Sequence, residues 1–225
     1  MRCARPYATL ANPVQPLTQQ RCLLNIACVD FEGVLVPEIW VGLAERTGIE
    51  ALQATTRDIP DYDQLMRQRL ELMTRHGLGL RDIQAAADAL EPLPGAATFL
   101  AWLRTEFQVA IVSDTFYELA VPLLRKLNNP MMLCHRLTIE AGRISGYQLR
   151  QADPKRHAVR AFKSMNFKVV ATGDSYNDVP MLTEADRGWF FCPPENVCRD
   201  HPNIPPVRSY EALKEALVLA KTDFS

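Results

Sequence analysis

The sequence predicts an α/β fold in which a doubly wound, mainly parallel sheet carries a helical segment inserted after its first strand. Short apolar runs that end in polar residues alternate with helix-like segments, a pattern typical of such sheets. The pattern is interrupted by residues 38–92, which contain almost no strand signal. At 225 residues, 48% hydrophobic and 23% charged, the chain is long enough for one large domain or a core with an insert.

Leu23–Val29 is the first predicted strand, because a buried parallel strand reads as a continuous apolar run. The block that follows is predicted to contain three helices. Asp61 has the residue type of a helix N-cap, and Gly48 and His76-Gly77 have the types that end helices. The three helices are Glu38–Arg46, a helix from Asp61 to about Arg75, and Leu80–Leu90.

Leu93-Pro-Gly95 marks the return to the main domain, after which strands and helices alternate again. The predicted elements are a helix at Ala96–Arg104, a strand at Val109–Val112, a helix at Phe116–Leu127, a hairpin within Leu137–Leu149, a helix at Lys155–Met165, strands at Lys168–Ala171 and Trp189–Phe191, and a helix at Tyr210–Ala220. We therefore expect a core of residues 21–37 and 93–225, with residues 38–92 as a helical cap.

Composition narrows the function. A formal net charge of -1 gives no argument for a nucleic acid or an anionic membrane as partner. Six scattered cysteines form no CxxC pair or zinc spacing, which favours a reducing cytoplasm over a disulfide-bonded exterior. No segment has the length of a membrane span. Residues 1–20 are rich in proline and glutamine, and we expect a poorly ordered tail there.

Polar residues stand where three predicted strands end. The first predicted strand is followed by Asp30-Phe-Glu-Gly-Val34. Two other predicted strands are followed by Ser113 and by the loop Gly173-Asp-Ser-Tyr-Asn-Asp178. Lys155 opens a helix between those two. Because the carboxyl ends of parallel strands lie along one edge of a sheet, residues that are distant in sequence can meet there.

The residue types at this edge suit phosphoryl transfer. Carboxylates in oxygen-only company suit a hard cation such as Mg²⁺, and lysine and serine suit phosphate oxygens. Asp30 and Glu32 are two residues apart where the chain turns, so one can be a nucleophile and the other a proton donor. A metal, a cation and a positioned nucleophile are the parts that such a reaction needs.

These motifs resemble those of the haloacid dehalogenase superfamily of phosphotransferases, over about residues 22–200. Asp30-Phe-Glu-Gly-Val34 resembles the first motif, Ser113 the second, Lys155 the third and Gly173–Asp178 the fourth. Within the superfamily, with its Rossmann-like core, the chain resembles the phosphoserine phosphatases, which carry a helical insert in this position. It is most similar to their bifunctional branch, which also acts as phosphoserine:homoserine phosphotransferase and suggests a homodimer.

The resemblance implies a role for each motif residue. Asp30 would attack phosphorus and become an aspartyl phosphate, while Glu32 would protonate the leaving serine oxygen and then activate water or an acceptor hydroxyl. Asp30, Asp174 and the backbone carbonyl of Glu32 would hold Mg²⁺, and Asp178 would assist through water or Lys155.

The resemblance also implies which residues bind the phosphoryl group. Ser113 and Lys155 would bind its oxygens, Asn177 would brace the loop, and Thr115 and Asn177 would belong to the substrate-binding set. Two departures stand out. Glu32 replaces the aspartate of most such phosphatases, and Asp114-Thr115 replaces the usual glycines, so the backbone there is less free and the pocket can differ.

The helix that starts at Asp61 offers an independent clue. Its apolar face contains Arg69 and, seven residues earlier, Tyr62, and a guanidinium in an apolar stripe needs a partner. One interpretation is an ion pair with an acid of the insert such as Glu45; the other is a clamp for a substrate carboxylate, which arginine fits bidentately. In the related phosphatases an aromatic and an arginine at this spacing contact substrate, and Glu38 matches the acid that binds the substrate ammonium.

The leading hypothesis is a Mg²⁺-dependent phosphatase for O-phospho-L-serine that also passes the phosphoryl group to homoserine. The alternatives are a phosphatase of the same superfamily for another small phosphorylated metabolite, a carbon–halogen hydrolase, and a non-catalytic phosphate-binding or receiver-like module. Arg156 is the rival of Lys155, and the four histidines share no ligand spacing and are expected at the surface or in packing. The three tryptophans are expected in the core.

Overall fold

The computed structural model of the protein describes residues 24–55, 58–59 and 61–224. The predicted tail, residues 1–20, lies outside them. In the described part of the chain seven strands form one sheet: β1 (Leu24–Val29), β2 (Gln108–Phe116), β3 (Met132–Glu140), β4 (Arg143–Gln148), β5 (Phe167–Gly173), β6 (Arg187–Phe191) and β7 (Pro206–Val207). Their order is β4-β3-β2-β1-β5-β6-β7, and only the β3–β4 pair is antiparallel. The predicted α/β class is therefore confirmed.

Helices cover both faces of this sheet. They are α1 (Ile39–Thr47), α2 (Tyr62–Arg75), α3 (Leu80–Ala89), α4 (Ala96–Glu106), α5 (Tyr117–Lys126), α6 (Pro154–Ser164), α7 (Val179–Glu184), α8 (Glu195–Asp200) and α9 (Tyr210–Asp223). Side chains alternate along β1, so that Ala27 and Val29 join one apolar core while Ile26 and Cys28 join the other. The first core includes α1 to α5 and α9, and the second includes α6, α7 and α8.

The centre of the sheet is a switch point. β1 pairs with β2 on one side and with β5 on the other. From β1 the chain continues toward the β2 side of the sheet, and from β5 it continues toward the opposite side. In open α/β sheets such a point leaves a crevice beyond the carboxyl ends of the strands. β1 and β5 both end there, which is where the predicted polar residues begin.

The inserted block is helical, as predicted, and adds a short 3₁₀ turn at Glu50–Gln53. Asp61 caps α2 by accepting the N–H of Gln64 at 2.9 Å, and α1 ends at Gly48, whose φ of 71° is in the left-handed region. The face of α2 that periodicity placed inward is buried at Leu65, Met66 and Arg69, among others. Among the described residues, no helix is both long and apolar enough to cross a bilayer.

Three differences from the predicted elements have physical reasons. The strand predicted to end at Val112 continues to Phe116, with a shift of register against β3 that accommodates the polar residues between them. The helices α7 and α8 have six residues each, too few to show a helical period. β7 has two residues and gives no alternation at all.

Candidate active site

Asp30 continues the line of β1 into the crevice. Its backbone N–H donates to the carbonyl of Thr172 on β5 at 2.9 Å, and its side chain is buried. The chain then turns at Gly33, which has a φ of 79°. A Cβ at Gly33 would lie 2.5 to 2.6 Å from the carboxylate of Asp174, so this turn requires glycine for both its backbone angle and its close approach.

Three acids meet beneath this turn. Carboxylate oxygens of Asp30, Asp174 and Asp178 all lie within 4.8 Å of one another, and the three side chains are buried. Burial, followed by repulsion from Asp178, raises the pKa of Asp30 well above its usual value. Oxygen ligands that are buried and repel one another suit a hard divalent cation. The donor set therefore fits the predicted Mg²⁺.

Asp178 also braces the loop that carries Asp174. Its Oδ2 accepts the backbone N–H groups of Asp174 and Ser175 at 2.9 and 3.1 Å, while its Oδ1 accepts from Lys155 at 2.6 Å. The local sequence explains this arrangement, since Ser175–Asp178 forms a capping box around the short turn Tyr176–Asp178. Asp174 is thus held in place by the residue four positions later.

Lys155 is the cation among these acids. It is 1% exposed, and its Nζ lies 2.6 Å from Asp178 Oδ1 and 3.0 Å from Asp30 Oδ1. Burial alone would lower the pKa of Lys155, but the surrounding carboxylates raise it well above its usual value, so the ammonium stays charged. Arg156, the rival residue, is partly exposed and pairs with Asp153 instead. The N-terminus of α6 thus presents Lys155 to the acids.

Glu32 points away from the acid cluster toward the inserted helices. Its Oε1 accepts the N–H of Ile39, the first residue of α1, at 2.7 Å. Burial raises the pKa of Glu32, although the bond from Ile39 lowers it in part. A carboxyl with a raised pKa is suited to both giving and taking a proton near neutral pH.

The register shift in β2 places Ser113, Asp114 and Thr115 side by side at the crevice. Ser113 and Thr115 are buried, with 3% and 5% of their surfaces exposed. The carboxylate of Asp114 accepts from the Asn177 amide at 2.9 Å and lies 3.8 Å from Lys155. Burial would raise the pKa of Asp114, but Lys155, His135 and Asn177 lower it to about 2.

Asp114 and His135 are the site residues that the sequence reasoning did not identify as such. His135, one of the histidines expected at the surface or in packing, is buried, and its Nδ1 accepts the N–H of Arg150 at 3.1 Å. The ring proton is therefore on Nε2, which faces Asp114 Oδ1 at 3.7 Å. The position of Asp114 directly after Ser113 was the available signal. His135 gave none, because its partner is 21 residues away on another strand.

The inserted block supplies Tyr62 and Arg69 from α2, and Glu38 from the position just before α1. The Tyr62 hydroxyl donates to the carbonyl of Asp114 at 3.0 Å, and Arg69 lies with its guanidinium carbon 4.6 Å from the ring centre of Trp40. Arg69 Nη2 donates to the carbonyl of Ala54 at 2.9 Å.

The surroundings of Arg69 bear on both of its predicted roles. Burial lowers the pKa of Arg69, while the charges of Glu32 and Glu38 raise it. In the described part of the chain no ion pair joins Arg69 to Glu45, whereas the charge of Glu38, another acid of the insert, acts on the guanidinium. Both predicted roles of Arg69 therefore stay predictions. Its Nε has no hydrogen-bond partner among the described residues.

A cavity of about 80 Å³ lies where the inserted helices face the sheet edge. All of the predicted site residues line it except Lys155 and Asp178, which contact its floor through Asp30 and Asp174. Its walls combine Asp30 and Asp174 from the sheet edge with Arg69 from α2. The site can therefore hold an anion beside Lys155 and a cation bound by the acids, and a second anionic group against Arg69. The fold and this site together define a doubly wound α/β protein whose reactive polar residues lie along one edge of its sheet.

Comparison with known proteins agrees with this description. The haloacid dehalogenase-like hydrolase family matches residues 23–183, and the chain belongs to that family. A protein named phosphoserine phosphatase from Pseudomonas syringae pv. tomato is 57% identical over 216 residues, which is 96% of this chain and 91% of that protein. One named phosphoserine phosphatase ThrH, from Pseudomonas aeruginosa, is 57% identical over 200 residues, 88% of this chain and 98% of that protein.

A solved structure shares the fold. It is described as a phospho-aspartyl intermediate analogue of phosphoserine phosphatase, and it superimposes with a TM-score of 0.71 at 21% identity. The match covers 88% of this chain and 99% of that one. The predicted resemblance to the superfamily and to its phosphoserine phosphatases is thus confirmed.

Proposed function

We propose that this chain is a Mg²⁺-dependent phosphatase for O-phospho-L-serine that works through an aspartyl phosphate on Asp30. The observation that carries the proposal is the placing of Asp30 in a buried acid cluster, in contact with Lys155, at the floor of a cavity lined by Arg69. The two relatives at 57% identity are named phosphoserine phosphatases, which supports the same substrate.

In the first step a carboxylate oxygen of Asp30 attacks phosphorus, and the bond from phosphorus to the serine oxygen breaks. Glu32 gives its proton to that departing oxygen, which the raised pKa of Glu32 favours. Ser113 and Lys155 bind the phosphoryl oxygens during the transfer, and Thr115 and Asn177 complete the wall around them. The products are serine and an acyl phosphate on Asp30.

In the second step Glu32, now ionised, takes a proton from water as the water oxygen attacks phosphorus. The acyl phosphate bond breaks, inorganic phosphate leaves and Asp30 is released as a carboxylate. One residue thus serves as acid and then as base, a role supported by its raised pKa and by its place in the lining of the same cavity as Asp30.

Asp30, Asp174 and the backbone carbonyl of Glu32 would hold Mg²⁺, with Asp178 acting indirectly through its bonds to Lys155 and to the loop. The fit is supported by the close approach of the acid oxygens and by Gly33, where a side chain would collide with Asp174. A bound Mg²⁺ would neutralise charge on the acids and on the phosphoryl group.

Residues 38–92 would act as a cap over a core of residues 21–37 and 93–225. In the cap, Arg69 would bind the substrate carboxylate, Glu38 its ammonium group, and Tyr62 would pack beside them. The presence of Arg69 and the acid cluster in the lining of one cavity, on different elements, supports this assignment, because phosphoserine carries a carboxylate as well as a phosphate. Closure of the cap would exclude water from the aspartyl phosphate.

A second outcome uses the same intermediate, since an alcohol such as homoserine can replace water in the second step. The relative named phosphoserine phosphatase ThrH, at 57% identity, supports this second outcome. We place the protein in the cytoplasm, where reduced cysteines are stable, and propose that it forms a homodimer.

The deciding experiment incubates the protein with phosphoserine, with and without homoserine, in Mg²⁺ or EDTA. We expect phosphate release that needs Mg²⁺, and phosphohomoserine when homoserine is present. Hydrolysis of other small phosphate esters at higher kcat/KM than phosphoserine would reject the substrate. Phosphohomoserine that never forms would reject the transferase activity alone.

A further inference from the structure

The hairpin formed by β3 and β4 touches the inserted block at the start of α2 and again a few residues beyond its end. At the first contact the Tyr147 hydroxyl donates to Asp63 Oδ1 at 2.5 Å. At the second contact, where α3 begins, the N–H of Leu80 donates to the carbonyl of Gly142 at 3.0 Å. β4 runs from Arg143 to Gln148, so it follows α2 from one contact to the other. The catalytic steps proposed above use neither contact.

The contact at the hairpin turn is a close approach of two backbones. Ala141 and Gly142 have φ angles of 49° and 77°, the signs of a tight two-residue hairpin turn. A Cβ added to Gly79 would lie 2.7 Å from the carbonyl oxygen of Gly142, closer than such atoms can approach. No side chain separates the two segments at this point.

The first turn of α2 is held on several sides. The Tyr62 ring meets the Tyr147 ring edge-on, with centroids 6.2 Å apart, and lies 6.3 Å from the His135 ring. Its hydroxyl donates to the carbonyl of Asp114. Arg69 lies two turns further along the same face. A displacement of this first turn therefore moves the cavity-lining residues of α2, which include Tyr62 and Arg69.

We propose that the β3–β4 hairpin positions the helix α2, and that Tyr147 and the Gly79–Gly142 contact are its two points of attachment. Tyr147 does not line the cavity, so its influence on substrate passes through α2. It is a positioning residue, which sets where Tyr62 and Arg69 stand relative to the acid cluster. The kinetic part of this inference rests on the proposed function, whereas the structural part does not.

The test compares Tyr147→Phe, Asp63→Ala and the double variant, with Gly79→Ala acting on the other attachment. Tyr117→Phe is the matched control, because Tyr117 is an exposed tyrosine on α5 whose ring contacts Arg136 and not α2. Two quantities are measured: KM and kcat for phosphoserine and for p-nitrophenyl phosphate, and amide hydrogen exchange of α2, with α9 as internal reference.

The bond between Tyr147 and Asp63 lies near the surface, so each single variant should raise KM for phosphoserine only about threefold to fivefold. The double variant should match the singles, because both remove one interaction. KM for p-nitrophenyl phosphate should stay within about twofold, since that ester has no carboxylate for Arg69. Gly79→Ala should act in the same direction, and the control should change nothing.

Faster exchange in α2 but not in α9 is expected for all the variants except the control. Additive effects of Tyr147→Phe and Asp63→Ala, or unchanged exchange in α2, would overturn the positioning role. If the native protein does not turn over phosphoserine, the proposed function fails. The exchange data then decide the role of the hairpin by themselves.

Discussion

Replacing Arg69 with methionine tests whether this side chain recognises the substrate carboxylate. Methionine keeps an unbranched apolar stem against Trp40, over which the guanidinium lies at 4.6 Å, and removes only the charge and the donors. Arg69 is 7% exposed and lines the cavity, so its bond to a carboxylate would be shielded from water. A hydrogen bond to a charged group contributes about 1.5 to 3 kcal/mol.

At about 1.4 kcal/mol for each factor of ten, that loss predicts a rise in KM for phosphoserine of roughly 10-fold to 150-fold. The measurement is steady-state kinetics with phosphoserine and, in parallel, with p-nitrophenyl phosphate, which has a phosphate and no carboxylate. KM for the second ester should stay within about twofold, because it offers no carboxylate to Arg69.

Arg67→Met is the control, since Arg67 is exposed on the same helix two residues earlier. It should leave both KM values unchanged. If Arg69→Met raised KM for both esters by the same factor, the carboxylate clamp would be ruled out. Arg69 would then be a structural residue, held by Trp40 and by the carbonyl of Ala54.

Three further predictions concern the acid cluster and its neighbours. Lys155→Met leaves Asp30 and Asp178 buried without their cation. It should therefore lower the free energy of unfolding by about 3 to 5 kcal/mol, measured by urea denaturation near neutral pH. An unchanged denaturation midpoint would contradict the ion pairs. A carboxyl whose folded pKa is raised stabilises the fold only while protonated, so the stability that Asp30 contributes falls as pH rises through that value. MgCl₂ should therefore raise Tm more at about pH 8 than at about pH 5, and equal shifts would speak against the metal site. Asp114→Ala should lower kcat/KM about tenfold for both esters alike, because the Asp114 carboxylate accepts from Asn177 and lies beside Lys155. A lower Tm with unchanged kcat/KM would show that Asp114 has a purely structural role.

Local signals predicted most of the fold. The apolar run that ends at Asp30 fixed the central strand, and Asp61, Gly48 and His76 marked helix ends that the structure contains. The face of α2 was also predictable, because burial follows the helical period. The elements that were missed are short, such as β7 and α8, and their few residues cannot display a period.

The residues of the candidate site likewise divide into those that the sequence predicted and those that it could not predict. Asp30, Ser113 and Asp174 were predictable because parallel strands bring their carboxyl ends to one edge, and the structure places them around one cavity. The extension of β2 to Phe116 was not predictable, because the register shift depends on the pairing of β2 with β3. The pair Asp114 and His135 depends on that same shift, so no pattern along the chain could have joined them.

The contact between Tyr147 and Asp63 shows the same limit. The two residues are 84 positions apart, one on a hairpin and one on an inserted helix. Neither residue type is unusual where it stands, so the sequence indicates a hairpin and a helix without indicating that they meet. Such contacts between elements decide how the inserted block sits over the cavity.

The most direct measurement for the central claim is the identity of the residue that takes the phosphoryl group. Glu32→Gln is mixed with p-nitrophenyl phosphate and Mg²⁺, quenched in acid and mapped by peptide mass. The nitrophenolate needs no proton to leave, whereas water needs a base to attack, so we expect a stoichiometric burst of nitrophenol and a phosphate on Asp30. A phosphate on another residue, or turnover by Asp30→Asn at the rate of the native protein, would contradict the account.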